Sequence, residues 1–199
     1  MKTLLFAIIA YFSGAIPSGV WIGKFFKKID IREHGSNNTG TTNAYRVLGA
    51  KYGIIVLLMD VLKGFFPLFL ANYFGVQGTH LIVIGMIAII GHTFSCFINF
   101  NGGKGVATSM GVFLFLIPGI TIILVGVFIV IVYFSKYISV GSIVCALLLP
   151  ILTCFFRIRA GIPRIPLIII ATIIGIFVVY KHRANILRLR DGTENKFKL

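Results

Sequence analysis

The sequence predicts an all-α polytopic membrane protein: seven transmembrane helices, some short or broken, with the N-terminus outside and the C-terminus cytoplasmic. Three observations carry this. Of 199 residues, 58% are hydrophobic and only 12% charged, and the mean hydropathy is +1.00, outside the balance of a soluble domain. Apolar runs recur at about the 20-residue length that crosses a ~30 Å hydrocarbon layer as a helix. Basic residues gather between those runs, as expected of loops facing the cytoplasm and its anionic headgroups.

The first span covers residues 3–23. It begins like a secretory signal, with Lys2, an apolar run and the small residues Ser13 and Ala15, but the apolar character continues through Val20 and Ile22, so the segment is expected to remain as a span. Residues 52–74 and 81–98 supply the second and third spans. The region 106–133 would measure about 42 Å as one helix, and Pro118-Gly119 interrupts it, so two short segments are expected. Such segments are tolerated where protein buries them or where they line a cavity. Residues 138–155 and 165–180 complete the seven. No linker, repeat or low-complexity tract divides the chain, which reads as a single domain, residues 1–199.

This arrangement puts 14 of the 19 Lys and Arg residues on the inner side, including Lys24, Lys27, Lys28, Arg32, Arg46, Lys104 and the tail from Lys181 to Lys198. Arg157, Arg159 and Arg164 form an outward cluster that runs against the positive-inside tendency. A six-span alternative would bring those three inside but send the whole basic tail out. The net charge of +14 belongs to a membrane surface, and no nucleic acid is expected as partner. Cys96, Cys145 and Cys154 lie in or beside apolar runs without metal-ligand spacing and read as packing residues.

Three polar stretches would share the inner face. In the first, Gly35 and Gly40 permit backbone angles that bring amides close to a ligand. Ser36, Asn38 and Asn43 offer compact hydrogen-bonding groups, and Arg46 supplies a forked cation suited to phosphate. In the second, Gly102, Gly103 and Gly105 surround Lys104 ahead of Thr108 and an apolar segment. A glycine-rich turn feeding a helix start presents unpaired amides to an anion. It is not a Walker loop, since Ile98 stands where the first glycine is needed and Gly105 replaces the Ser/Thr. In the third, helical spacing brings His182, Asn185 and Arg188 near one another. Taken singly, each stretch also reads as an ordinary feature: a polar turn, a turn with a snorkelling lysine, a helix touching headgroups.

Two buried features accompany them. Asp60 and Lys63 lie one turn apart within the second span, spaced for mutual pairing. His92 sits at the inner half of the third span, aimed towards Lys104. The absences narrow the chemistry. There is no HxxxxD arrangement, HExxH, GxSxG elbow or credible metal cluster, so metal-free anion chemistry is expected.

These residues resemble the bacterial acyl-phosphate:glycerol-3-phosphate acyltransferase family (PlsY-type). Its G-S-x-N-x-G-x-x-N pattern is met by Gly35, Ser36, Asn38, Gly40 and Asn43, with Arg46 following. G-G-K-G-V-A-T runs from Gly102 to Thr108, and H-x-x-N-I-x-R-L-x-x-G-x-E runs from His182 through Asn185, Arg188 and Gly192 to Glu194. Asp60-x-x-Lys63-Gly64 and Gly91-His92 also match. Asn37 stands where the family usually has a second glycine, and Ser95 where a proline is common.

The resemblance implies transfer of a fatty acyl group from acyl phosphate to the sn-1 hydroxyl of glycerol 3-phosphate, giving lysophosphatidic acid in the bacterial inner membrane, with the active site on the cytoplasmic face. It implies Ser36, Arg46, Lys104, His182 and Asn185 as catalytic. Gly35, Asn38, Gly40, Asn43, Gly102, Gly103, Gly105, Thr108, Arg188 and Glu194 would be substrate-binding, with Asp60, Lys63 and His92 in support. No metal or cofactor is implied, and a functional link to the enzyme that makes acyl phosphate is expected. Without the resemblance, a transporter of a small phosphorylated solute would suit the broken helices and inner-face cations about as well.

Overall fold

The computed structural model describes residues 1–156 and 158–197. Arg157 of the outward cluster and Lys198 of the tail lie outside the described residues. Every regular element described is helical. The chain divides into two compact units, residues 1–115 and 116–199.

In the first unit, α1 (Lys2–Ala15) is followed by α2 (Ser18–Ile22), a wider π-helical turn (Gly23–Lys27) and a 3-10 turn (Ile31–Glu33). Then come α3 (Thr41–Leu48), α4 (Ala50–Tyr73), α5 (Thr79–Thr93), a second 3-10 turn (Cys96–Ile98) and α6 (Val106–Leu116). Small residues set the helix contacts, as is usual where lipid supplies no hydrophobic drive between helices. A side chain on Gly14 would strike the Ala88 backbone of α5, and one on Gly91 the Tyr11 backbone of α1. Gly64 and Gly111 bring α4 and α6 together in the same way, against Thr108 and Val61. The opposite face of α4 is a lipid-facing stripe at helical spacing: Ile54, Leu58, Leu62 and Phe66 are all exposed.

The second unit holds α7 (Pro118–Ser135), α8 (Ile138–Phe155), α9 (Arg164–Lys181) and α10 (Arg183–Arg190). Gly141 lies against Phe128 and Val132 of α7, and Gly175 against the Ala146 carbonyl of α8. Cys145 donates from Sγ to the Leu124 carbonyl at 3.3 Å, while Cys96 and Cys154 are exposed. Only Cys145 is therefore a packing residue. Arg164, the last member of the outward cluster, bonds the Cys154 carbonyl at 2.6 Å, so it caps the end of α8.

Among the described residues, five helical segments are long and apolar enough to cross a membrane, and a sixth follows if α1 and the bent stretch Ser18–Lys27 count as one span. α6, with 11 residues, reaches only about 16 Å by itself. The interruption expected at Pro118-Gly119 falls at Ile117, where α6 ends and Pro118 opens α7 as its first residue.

Candidate functional site

The first polar stretch is a folded loop seated on a small apolar core. Val20, Ile31, Ala44, Leu48 and Val56 bury together beneath it, drawing α2, the 3-10 turn, α3 and α4 to one point. Asn43 organises what lies above. Its side chain is 1% exposed, its Oδ1 accepts from the Ser36 amide at 2.8 Å, and its Nδ2 donates to the carbonyls of Ile31, His34 and Asn38 at 2.7–3.1 Å. Expected to touch a ligand, the Asn43 carboxamide is committed to the chain itself. What it leaves outward are the Ser36 hydroxyl and Arg46, both exposed, and Arg46 makes no ion pair among the described residues.

The glycines divide by conformation. Gly35 takes φ +64 and Asn37 φ +56, the left-handed region that glycine enters freely and asparagine tolerates. That explains both the glycine usual at position 37 and the residue found there. Gly40 differs from expectation: at φ −86 and ψ 173 its backbone needs no special freedom. A Cβ there would lie 3.1 Å from the Asn38 Oδ1 that its own amide bonds at 2.9 Å, so space is its contribution.

Sequence reasoning missed Asp30, which fastens the entry to this loop. It accepts from the Arg32 amide and from Arg32 Nε at 3.1 and 2.9 Å, and pairs with the Arg32 guanidinium at 2.6 Å and Lys24 at 3.2 Å. The hydrogen bonds from Arg32, with Lys24 adding to them against a smaller effect of burial, hold its carboxyl well below the usual carboxylate range. Two basic residues counted towards the cationic face are thus engaged locally. The available signal was an aspartate heading a short turn two residues before an arginine.

The Lys104 turn is pinned to the end of α5. Gly102 and Gly103 donate their amides to the carbonyls of Thr93 and His92 at 3.0 and 3.2 Å. The expectation that they point amides at an anion is therefore corrected: both donors are spent on α5. Their glycine identity follows from crowding, since a Cβ on Gly102 would strike the His92 carbonyl and one on Gly103 the His92 ring. His92 is the buried floor of this turn. Gly105, at φ +82, redirects the chain into α6, whose first-turn amides lack helical partners by construction. Lys104 is half-buried. Thr108 is fully buried, with its carbonyl against Gly64 of α4. At Ser95 the usual proline is replaced by a hydroxyl that donates to the Ala15 carbonyl at 2.5 Å, tying the end of α5 to the end of α1. Both polar stretches of this unit leave from that end.

The third stretch is built within the second unit. His182 is buried, and its Nδ1 lies 2.8 Å from the Val178 carbonyl. A carbonyl only accepts, so the proton sits on Nδ1 and Nε2 is the nitrogen able to act as a base. α10 then ends in a Schellman motif: Gly192, at φ +71, donates to the Leu189 carbonyl, and Thr193 to the Arg188 carbonyl. The reversal brings Glu194 back over the helix. Its Oε1 accepts from Asn185 at 2.6 Å and from Ser139 of α8 at 2.9 Å, and its Oε2 from Arg188 at 2.7 Å. Burial alone would raise its carboxyl pKa, but the hydrogen bonds from Asn185, Arg188 and Ser139 outweigh it and hold the group below its ordinary value. Glu194 is a carboxylate that orients two residues expected to meet substrate, and Ser139 is a partner the sequence reading did not single out.

Fold and site together define an all-helical integral membrane protein with cations and compact hydrogen-bonding groups on its polar loops. Residues 4–192 match the model of the family described as Glycerol-3-phosphate acyltransferase. The chain is 57% identical over 198 residues to a glycerol-3-phosphate acyltransferase of Fusobacterium nucleatum, covering 100% of both. It is 44% identical to one of Enterococcus faecalis, covering 98% of this chain and 92% of the relative. Among solved structures it is similar to the crystal structure of PlsY (YgiH), an integral membrane glycerol 3-phosphate acyltransferase, in its glycerol 3-phosphate form. The TM-score is 0.89 at 36% identity, over 100% of this chain and 96% of that one. The lysophosphatidic acid form of the same enzyme gives 0.87. The chain belongs to the glycerol-3-phosphate acyltransferase family, of the PlsY type.

Proposed function

We infer that the protein transfers a fatty acyl group from acyl phosphate to the sn-1 hydroxyl of glycerol 3-phosphate, the first step of phospholipid synthesis, with the whole chain, residues 1–199, acting as one transmembrane acyltransferase domain. The observation that carries this is end-to-end family membership combined with the three polar motifs. The glycerol 3-phosphate and lysophosphatidic acid forms of PlsY support the acceptor and the product class. The acyl phosphate donor rests on the motif resemblance, and it implies a functional link to an enzyme that makes acyl phosphate.

The acceptor oxygen bonds the acyl carbon, the bond from that carbon to the phosphate oxygen breaks, and phosphate leaves with the electron pair. Because phosphate is already a good leaving group, most of the burden is to align two anions and offset their repulsion. Alignment contributes several kcal/mol and each oxyanion donor about 3 kcal/mol. Lys104, with the first-turn amides of α6, holds one phosphate; Arg46, Ser36, Asn38 and Arg188 serve the other. Asn185 orients the acceptor. The hydroxyl proton passes to Nε2 of His182 or to a phosphate oxygen of the substrate, and a His182→Gln variant of near-normal rate would assign it to the substrate.

The chain is proposed to cross the bacterial inner membrane seven times, with the N-terminus outside, the C-terminus cytoplasmic and the active site on the cytoplasmic face. Purified protein in detergent tests the activity. Inorganic phosphate should be released from acyl phosphate only when glycerol 3-phosphate is present, and acyl-CoA or acyl carrier protein should not substitute. A transporter would release none. Lys104→Ala should abolish turnover in a folded protein, and near-normal activity would remove Lys104 from the mechanism.

A further inference from the structure

The first span bends by 45° between Lys2–Ala15 and Ser18–Lys27, where Pro17 removes an amide from the helical ladder. A break within a membrane leaves carbonyls that need donors from elsewhere. The Ile16 carbonyl receives the Ser18 amide at 3.0 Å and, from the middle of α4, the Lys63 ammonium at 2.8 Å. The same ammonium lies 2.8 Å from the Asp60 carboxylate, and the two side chains are only 5% and 2% exposed. Ser13 returns a bond from its hydroxyl to the Lys63 carbonyl at 3.3 Å.

The other side of this α4 turn seats α6. Gly64 is in backbone contact with Thr108, and Gly111 with Val61. One turn of α4 thus carries both the bend that leads to the Ser36–Arg46 loop and the helix that follows Lys104. Stability is a poor reason for the ion pair, since the desolvation of two buried charges commonly cancels their attraction and a well-packed apolar pair does as well. An apolar side chain has no donor for the Ile16 carbonyl. We propose that Lys63, balanced by Asp60, is a positioning residue: its bond to Ile16 fixes the bend of the first span against α6 and so holds the Ser36–Arg46 loop in register with the Lys104 turn.

The kinetic part of the test rests on the acyl-transfer reading; a distance measurement does not. The Asp60→Leu/Lys63→Met double variant is neutral and lacks any side-chain donor at either position. Lys63→Arg and Asp60→Asn alone keep a donor, because even an uncharged amine still donates. The double variant should retain the wild-type Tm in detergent yet lose kcat by roughly tenfold to a hundredfold, the range expected of misaligned reactants. Both single variants should stay within a few fold of wild type. In parallel, spin labels at Lys28→Cys and Asn101→Cys, both exposed, are placed in a background with Cys96, Cys145 and Cys154 changed to Ser. Their distance distribution should be narrow in the parent and in Lys63→Arg, and broadened or shifted in the double variant.

Unchanged kcat and an unchanged distance in the double variant overturn the proposal. Loss that tracks a collapse of Tm reduces the pair to packing, and equal loss in both single variants, each of which keeps a donor, shows that the donor does not set the alignment; each result also sinks it. If the wild type transfers no acyl group but the distance broadens as stated, the functional reading fails and the positioning role stands.

Discussion

Asn43 and Arg46 are three residues apart on α3 and have opposite kinds of work. Asn43 faces inward and satisfies one backbone amide and three carbonyls of the loop, whereas Arg46 is exposed. Asn43→Asp would turn a carboxylate oxygen towards carbonyls that need a donor, with a loss of stability of about 1–3 kcal/mol per unsatisfied group. Its Tm should fall, and activity with it. Arg46→Ala should leave the Tm unchanged while removing most of the activity, so thermal unfolding in detergent beside a rate assay separates the two. The pattern of small polar residues made this stretch legible as a site. It did not reveal which side chains build the loop and which face outward, because Asn, Ser and Gly suit both tasks; that is why Gly40 read as a flexible glycine and Asp30 went unnoticed.

At the scale of an element, the third motif is one helix and its cap. His182, Asn185 and Arg188 follow from helical spacing, but the place of Glu194 depends on a chain reversal that spacing does not encode. Gly192 makes that reversal at φ +71. Gly192→Ala should cost about 1–2 kcal/mol of local strain, loosen Glu194 from Asn185 and Arg188, and lower kcat together with a drop of a few degrees in Tm. Glu194 also sets a pH dependence. Its pKa is depressed in the folded chain, so the stability it contributes is present above the unfolded value, about 4.3, and is lost as pH falls through the lower folded one. The Tm should therefore hold from neutrality to about pH 5 and decline only below that. Glu194→Gln should have a lower Tm at neutral pH and a shallower acid decline. An equally steep decline would trace the acid sensitivity to other carboxyls such as Asp30.

For the molecule as a whole, the apolar runs were legible because a membrane imposes length and composition directly on sequence. The bend at Pro17 was not, because hydropathy is the same on both sides of it; the α6 boundary was, because Pro118-Gly119 marks it. Sidedness depends on charge alone, and Arg157, Arg159 and Arg164 pull against the basic tail. Arg164 eases that conflict, since its guanidinium caps the Cys154 carbonyl and is fixed by local structure whichever side it faces. Single cysteines at Gln77, Asn101 and Thr193, all exposed, in a cysteine-free background give the direct measurement. A membrane-impermeant thiol reagent should label Gln77→Cys in intact cells and reach the other two only after permeabilisation. Labelling of Thr193→Cys but not of Asn101→Cys from outside would put the His182 motif and the Lys104 turn on opposite faces of the membrane. In that case the basic tail would not set orientation, and His182, Asn185 and Arg188 would have no part in the reaction assigned to Lys104.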